Sequence, residues 1–174
     1  GEARRDILEM ITRNNRLPSF AGDIAAMISA TQRGVSAMDK LVQRYGAETV
    51  RAAINFNIDQ TERRFREEVS TWPDGSYTGE VFIDHDTVGN EDVRVFVECR
   101  VDGDDLTIDL NGSDERPELV CVWNTFSNTR GYAMAQLASM VDPSIPKNEG
   151  LFNAVEIIVP ENSILQPPPN KPAA

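Results

Sequence analysis

The sequence contains few histidine and cysteine residues, which proteins often use as metal ligands and as catalytic groups. It has one histidine, His85, and two cysteines, Cys99 and Cys121, among 174 residues. Two cysteines do not make a disulfide framework. Each lies in an apolar run with β character, so we expect both to be buried free thiols, as in the reducing environment of the cytoplasm.

Recognisable catalytic and nucleotide-binding motifs are also missing. The sequence contains no P-loop, no dinucleotide-binding glycine fingerprint, no HExxH, no CxxC and no GxSxG. A triad of serine, histidine and aspartate would have to use His85, and none of its neighbours favours that role. We therefore expect this chain to bind neither ATP nor a metal ion by itself.

Positive charge and long hydrophobic runs are scarce. The 17 basic residues are outnumbered by 28 acidic ones, which gives a net charge of −11. Because nucleic acids and anionic membranes attract the opposite sign, neither is an expected partner. No stretch approaches the roughly 20 apolar residues that span a bilayer. The charge leaves open one further interpretation, an independent acidic binding module.

What is present is the composition of a globular protein, with 40% hydrophobic and 26% charged residues. The chain does not begin with methionine, and its proline-rich tail from Gln166 to Ala174 has no helix or strand pattern. We expect an internal fragment of a longer subunit, whose function is shared with other segments.

The first part of the chain has the apolar spacing of helices. We predict helices at about 2–14, 20–45 and 47–72. Gly46 is a natural stop for the second helix, and the short link predicts an antiparallel hairpin of the second and third. Glu62 and Arg66, four residues apart, form a favourable helical ion pair.

After the turn Pro73-Asp74-Gly75 the apolar period changes to two, which is typical of strands. We predict strands at 77–83, 92–101, 105–110 and 154–159, and one helix at about 128–141. Helices followed by strands predict an α+β fold, with a long helical hairpin, then an antiparallel sheet with one further helix. We divide the chain into a helical segment, 1–72, and a β-rich segment, 73–174, both parts of one larger subunit.

The run Asp84-His85-Asp86 is the densest set of side chains able to bind a metal. Neighbouring residues of a strand point to opposite faces, so the three converge only if the turn bends sharply. A solvent-exposed strand end is the favoured interpretation. The acidic residues at 102–105 lack the spacing and the closing glutamate of a calcium loop.

The polar segment before the predicted helix at 128–141 is the best candidate for function. Asn124, Asn128 and Thr129 are capping residue types. Arg130 adds a planar cation that suits a carboxylate or a phosphate, and a helix N-terminus also favours anions. From composition alone, a helix cap with one surface arginine is the simpler interpretation.

Several segments occur together in the order found in one known family. They are Gly22-Asp23-Ile24-Ala25-Ala26, Arg44-Tyr45-Gly46, Glu62-Arg63-Arg64, Pro73-Asp74-Gly75-Ser76-Tyr77, Leu106-Thr107-Ile108-Asp109, Asn128-Thr129-Arg130, the run from Asp142 to Gly150, and the run from Val159 to Pro167. From about Ser19 to its end, the chain resembles the central-to-late part of the hydantoinase B/5-oxoprolinase family. That family includes N-methylhydantoinase B subunits and the related large subunits of acetone and acetophenone carboxylases.

The resemblance implies a fragment of the B-type subunit of an ATP-dependent cyclic amidohydrolase, which opens a cyclic amide C–N bond. It implies a hydantoinase A-type, ATP-binding subunit or domain as partner, in an oligomeric, cytoplasmic complex that uses ATP and a divalent metal, zinc or manganese. Phosphorylating the carbonyl oxygen makes a good leaving group, which explains the need for ATP. The family's metal ligands lie in an N-terminal segment that these residues do not include, so no ligand is assigned to His85.

Two alternatives stay open. One is a subunit of the related acetone/acetophenone carboxylases, in which an enol phosphate is coupled to bicarbonate. Trp123-Asn124-Thr125 and the proline-rich tail favour this alternative. A purely structural segment would brace the complex without taking part in the reaction. Under the leading interpretation, the residues that line a substrate channel or a subunit contact are Asn124, Asn128, Thr129, Arg130 and Asn148.

Overall fold

The computed structural model describes residues 3–15 and 17–171. In chain order its elements are α1 (Arg5–Arg13), α2 (Phe20–Tyr45), α3 (Ala47–Val69), β1 (Gly75–His85), β2 (Glu91–Asp102), β3 (Asp105–Asp109), α4 (Phe126–Met140), α5 (Glu149–Asn153) and β4 (Val155–Ile158). The chain divides into two compact units, Gly1–Ile54 and Asn55–Ala174. The predicted start of the first helix, residue 2, lies outside the described residues.

The first unit is helical. α2 has 26 residues and occupies the range that its apolar spacing predicts. It ends at Gly46, whose φ of +82° lies in the region that glycine adopts without strain. Neither α1 nor α2 contains a buried residue among those described. Both helices nevertheless carry apolar side chains, and those of Met27 and Val35 in α2 are largely exposed.

The second unit is built on a four-stranded sheet in the order β1-β2-β3-β4. The first three strands are antiparallel neighbours, with Tyr77 opposite Cys99 and Val101 opposite Leu106. β4 runs parallel to β3, so the prediction of a purely antiparallel sheet is wrong for this strand. The chain crosses over through α4 and α5 between β3 and β4, as a parallel pair requires. The prediction failed because apolar spacing gives no information on strand direction. The predicted α+β class is confirmed.

The core of the second unit lies on one face of the sheet. The alternation of β2 places Val93, Val95, Val97, Cys99 and Val101 on that face, as predicted, and the two end residues are the most deeply buried. Helix α3 contributes its C-terminal half, through Phe65 and Val69, and α4 contributes Met134 and Leu137. Burial of large apolar side chains such as these is the main stabilising contribution, at roughly 1.5–3 kcal/mol each.

Arg66 connects α3 with two later parts of the second unit. Its guanidinium donates to Asp105 at the start of β3 (2.7 Å) and to the carbonyl oxygen of Asn153 at the end of α5 (3.4 Å). It also forms the predicted pair with Glu62, at 3.2 Å. Partial burial lowers the pKa of Arg66, but its hydrogen bonds to the two carboxylates outweigh that effect and raise the pKa overall.

The apolar run at 119–123 forms a loop and not a strand, and only its two end residues are buried. Leu119 and Trp123 are 1% and 2% exposed, and the indole nitrogen of Trp123 donates to the Leu119 carbonyl oxygen at 3.0 Å. This hydrogen bond closes the loop and leaves Cys121 facing the solvent. Both cysteines are free thiols, but Cys121 is exposed and Cys99 only partly buried, so the expectation of a buried Cys121 is wrong.

Candidate functional site

A cavity of about 760 Å³ lies between the sheet and α4. Strands β2 and β3 provide its apolar floor, including Val97 and Ile108, and α4 provides a wall that includes Leu137. Polar side chains line it at Asn124 and Gln136. Its volume and largely apolar lining are those of sites that bind small molecules. We call it the α4 cavity.

Two of the sequence-predicted site residues, Asn124 and Thr129, line this cavity and contact each other. The side-chain amide of Asn124 donates to the Thr129 hydroxyl at 3.1 Å, and that hydroxyl donates to the carbonyl oxygen of Leu165 at 2.8 Å. The Asn124 backbone N–H donates to the carbonyl oxygen of Ile164 at 2.7 Å. These bonds attach the start of α4 to the segment at 163–166 and so shape one end of the α4 cavity.

The N-cap of α4 is Thr125, whose hydroxyl accepts a hydrogen bond from the backbone N–H of Asn128 at 3.3 Å. Capping by a threonine hydroxyl satisfies one of the free N–H groups at a helix start. Asn128 itself is exposed. Thr125 is not among the residues that the sequence suggested as caps, so the expected cap is wrong and only the backbone geometry identifies the residue in use.

Arg130 lies next to Thr129 in sequence but does not line the α4 cavity. Its guanidinium stacks on the ring of Phe152 in α5, 4.6 Å from the ring centroid. Among the residues that the structure describes, it makes no ion pair and no hydrogen bond. A half-buried guanidinium that is held by stacking keeps its planar set of N–H donors available for a carboxylate or phosphate.

Asn148 connects α5 with α3. Its side-chain amide donates to the hydroxyl of the fully buried Thr61 at 2.9 Å and to the carbonyl oxygen of Asn57 at 3.4 Å. Its side-chain oxygen accepts from the backbone N–H of Gly150 at 2.9 Å and caps α5. All three contacts lie within the chain, so contact of Asn148 with a substrate or subunit stays a prediction.

Sequence reasoning missed α5 itself, because Lys147 to Gly150 indicates only a turn. Gly150 is the residue that lets this helix approach α3. A Cβ atom added there would lie 2.8 Å from the backbone nitrogen of Glu62 and closer still to the carbonyl oxygen of Ile58. The only sequence signal for this contact was a glycine directly after an Asn-Glu pair. That signal does not indicate which surface the glycine packs against.

Asp86 has a structural role in the turn between β1 and β2. Its carboxylate, 2% exposed, accepts from the backbone N–H groups of Val88, Asn90 and Val120 and from the Asn90 side chain, at 2.7–3.3 Å. Desolvation raises the pKa of Asp86, but these hydrogen bonds outweigh it and lower the pKa to about 2. These four hydrogen bonds occupy the lone pairs of the Asp86 carboxylate that would otherwise be available to a metal ion.

The ring nitrogen Nδ1 of His85 lies 2.7 Å from the Asp86 carbonyl oxygen. Within residues 3–15 and 17–171, no three or more histidine, cysteine, aspartate or glutamate side chains form a group able to hold a metal ion. None of the helices in that part of the chain combines the length and the hydrophobicity that spanning a bilayer requires.

Comparison with known proteins places this fold in a family. The model of the family described as hydantoinase B/oxoprolinase matches residues 1–174. The chain is 29% identical to a putative D-/L-hydantoinase B subunit of Pseudomonas sp. (strain NS671), over 96% of this chain and 30% of that protein. It is 26% identical to the acetophenone carboxylase delta subunit of Aromatoleum aromaticum, over 95% of this chain and 25% of that protein.

The crystal structure of the ATP-dependent caprolactamase from Pseudomonas jessenii has the same fold, with a TM-score of 0.80 at 24% identity over 99% of this chain and 30% of that one. The chain thus spans about 30% of the length of the hydantoinase protein that it matches. Because the family match extends over every residue of the sequence, the chain belongs to the hydantoinase B/oxoprolinase family.

Proposed function

We propose that this chain is a segment of the B-type subunit of an ATP-dependent enzyme that hydrolyses a cyclic amide C–N bond. The observation that carries the proposal is the family match over residues 1–174, together with the 29% identity to a hydantoinase of the B type. The proposed partner is an A-type, ATP-binding subunit or domain in an oligomeric, cytoplasmic complex.

The chemistry of a cyclic amide explains why such an enzyme would use ATP. Resonance makes the ring carbonyl a poor electrophile, and transfer of a phosphoryl group to its oxygen creates a leaving group. This chain's described residues hold no metal cluster, and its sequence has no P-loop. We propose that the ATP and the divalent metal, zinc or manganese, are bound by other segments of the complex.

The contribution that we assign to this chain is a scaffold with two surfaces suited to a substrate. The α4 cavity offers an apolar volume with the Asn124 and Gln136 amides at its lining, which suits a small ring with one polar group. Arg130, stacked on Phe152, offers a cation for a carboxylate or phosphate. Both surfaces lie on or beside α4, which Thr129 anchors to Leu165.

The proposal is tested by producing the full-length protein with its A-type partner and measuring ADP release and ring opening on hydantoins, 5-oxoproline and caprolactam. We expect ATP hydrolysis that depends on one class of cyclic amide. Release of ADP that no cyclic amide stimulates, in an assembled and folded complex, would contradict the proposal.

A related carboxylase function is the second candidate, because the chain is also 26% identical to an acetophenone carboxylase subunit. That enzyme class couples an ATP-activated enolate to bicarbonate. The same complex assayed with ketones and labelled bicarbonate separates the two functions, since only carboxylation incorporates the label.

A purely structural role of this segment predicts that substitutions at the α4 cavity and at Arg130 leave turnover unchanged.

Arg130→Ala in the full-length complex distinguishes a role in turnover from a role in stability. We expect kcat/KM to fall at least tenfold, while loss of the stacking on Phe152 lowers the free energy of unfolding by only about 0.5–1 kcal/mol. Arg63→Ala is the matched control, because Arg63 is an exposed arginine on α3. Equal kinetics for the two variants would remove Arg130 from the proposed site.

A further inference from the structure

Arg130 differs from the other cationic side chains of the second unit in having no oxygen partner. Each other arginine and lysine between residues 55 and 171 binds a carboxylate, hydroxyl or carbonyl oxygen of the chain: Arg63, Arg64, Arg66, Arg94, Arg100, Arg116, Lys147 and Lys171. Within this described range the side chain of Arg130 contacts only the ring of Phe152. Its N–H donors are therefore the ones that the unit itself leaves unused.

Partial burial makes the lack of a partner at Arg130 informative. Its side chain is half-buried, and charged groups that are withdrawn from water are normally paired. The sequence carries 28 acidic residues, so carboxylates are plentiful, yet none of those described pairs with Arg130. A planar cation left in this state suits an anion that comes from outside the chain.

The ring contact restricts the guanidinium of Arg130 without using its donors. The guanidinium carbon lies 4.6 Å from the centroid of the Phe152 ring, within the distance at which a cation is attracted to an aromatic face. A carboxylate or a phosphoryl group binds a guanidinium along its edge, through two parallel hydrogen bonds. The aromatic ring and such an anion can therefore contact Arg130 at the same time.

Helix α5, which carries Phe152, is held in place by α3. With five residues, α5 is too short to be stable alone. Asn148 caps α5 and donates to the buried Thr61 hydroxyl at 2.9 Å. Gly150 packs so closely on α3 that an added Cβ atom would lie 2.8 Å from the Cβ atom of Thr61. Phe152 also packs against the core, so the position of its ring is set by the scaffold.

We propose that Phe152 is a positioning residue, which holds the Arg130 guanidinium so that its N–H edge binds carboxylate or phosphoryl oxygens of a substrate. The inference rests on the proposed function, in which Arg130 supplies the cation. It adds that the orientation of this cation, set from α3 through α5, matters as well as its charge. Donors held in place bind an anion more tightly than mobile ones, since less side-chain entropy is lost on binding.

Kinetics of the full-length protein with its A-type partner test the role of the ring. Phe152→Leu keeps an apolar side chain but removes the aromatic face, and should lower kcat/KM on the hydrolysed cyclic amide about fivefold. Phe152→Tyr keeps the face and should retain the parent kcat/KM. Asn153→Ala, at an exposed neighbouring residue of α5, is the matched control and should have no effect. Parent kinetics for Phe152→Leu, or an equal loss in Phe152→Tyr, overturns the inference.

A double substitution separates this role from a general effect on stability. If Phe152 acts through Arg130, adding Phe152→Leu to Arg130→Ala should lower kcat/KM little further. A loss by the same factor in both backgrounds would mean that the ring acts independently of Arg130, which overturns the inference.

Arg130→Lys examines the contact from its other side. Lysine keeps the charge but not the planar group, so kcat/KM should fall about as far as in Arg130→Ala. Parent kinetics for Arg130→Lys would mean that charge alone is sufficient, and the inference would be wrong.

Chemical modification tests the same contact without turnover. Phenylglyoxal modifies arginine side chains, and peptide mass spectrometry follows its rate at Arg130 in the full-length protein. In the parent we expect inorganic phosphate or acetate to slow this modification about fivefold, and the anion that protects identifies the bound group as phosphoryl or carboxylate. The protection should persist in Phe152→Tyr and be lost in Phe152→Leu.

This assay also separates the inference from the proposed function. Protection by neither anion in the parent, or equal protection in Phe152→Leu, overturns the inference even if a cyclic amide is hydrolysed. Protection that depends on Phe152, in a complex that hydrolyses no cyclic amide, supports the positioning of Arg130 and counts against the proposed function alone.

Discussion

Gly150 packs directly against the backbone of α3, so that a Cβ atom on it would lie 2.8 Å from the nitrogen of Glu62 and overlap the carbonyl oxygen of Ile58. Both of those atoms belong to a helix backbone, which cannot move aside as a flexible side chain can. This approach fixes α5 against α3. It thereby positions Phe152, the ring on which Arg130 stacks.

We expect Gly150→Ala to destabilise the second unit by about 1–3 kcal/mol, the usual consequence of forcing an extra carbon into a packed site. Urea unfolding followed by tryptophan fluorescence measures the change. The matched control is Gly131→Ala in α4, where an added Cβ meets nothing within 4 Å and alanine should stabilise the helix by about 0.5–1 kcal/mol. Equal effects of the two substitutions would contradict the close approach at Gly150.

Asn148→Ala removes the cap of α5 and the hydrogen bond to Thr61. Loss of an N-cap lowers stability by about 0.5–2 kcal/mol, and the buried Thr61 hydroxyl loses a donor. We expect a total decrease of about 1–3 kcal/mol, again measured by urea unfolding. Asn128→Ala, which changes an exposed side chain on α4, should change the free energy of unfolding by less than about 0.5 kcal/mol.

Asp86 makes stability dependent on acid pH. Its pKa in the folded chain, about 2, lies below the ordinary value of 3.8, because its hydrogen bonds favour the ionised carboxylate despite desolvation. The ionised group therefore stabilises the fold above about pH 4, and this contribution is lost as the pH falls from there towards 2. We expect Asp86→Asn to be less stable at pH 7 and to lose less stability on acidification.

Thermal unfolding of Asp86→Asn and of the parent chain between pH 2 and pH 7 measures this difference. Asp84→Asn is the control, since Asp84 is exposed and takes no part in the turn's hydrogen bonds to Asp86. If Asp86→Asn and the parent chain lost stability in parallel as the pH fell, the assigned role of the Asp86 carboxylate would be wrong.

The two cysteines should differ in reactivity. Burial raises the pKa of the Cys99 thiol, which lowers its thiolate fraction at neutral pH, whereas Cys121 is exposed. Because the thiolate is the reactive form, we expect iodoacetamide to modify Cys121 at least tenfold faster than Cys99, as followed by peptide mass spectrometry. Denaturation should equalise the two rates, and equal rates in the folded chain would contradict the burial of Cys99.

The positions of the long elements were predictable from the sequence. The spacing of Ile24, Ile28 and Val35 located α2 at its observed bounds, and the alternation from Val93 to Val101 located β2 with the correct inward face. In β2 the apolar alternation is informative because burial of one face of the sheet requires it. Gly46 marked the end of α2, because a glycine is a common stop at the end of a helix.

Only the approximate position of the candidate site along the sequence was predictable. Capping residue types and Arg130, which lies within α4, indicated a polar segment. The sequence did not show that Asn124 and Thr129 are joined by a hydrogen bond or that the Thr129 hydroxyl donates to Leu165, far along the chain. Arg130 meets Phe152 in a helix of five residues, which is too short for any periodic signal. Contacts between segments so distant in sequence depend on how the chain crosses over between β3 and β4.

The amino-acid sequence by itself determined the order and length of the major elements and, through matching segments, the family. Those properties depend on local spacing and on residue identity. The tertiary structure decided that β4 runs parallel to β3, that Asp86 binds four donors of its own chain, and that Gly150 lets α5 touch α3. Each of these depends on backbone atoms brought together from separate parts of the chain, and a pattern read along the sequence does not encode their distances.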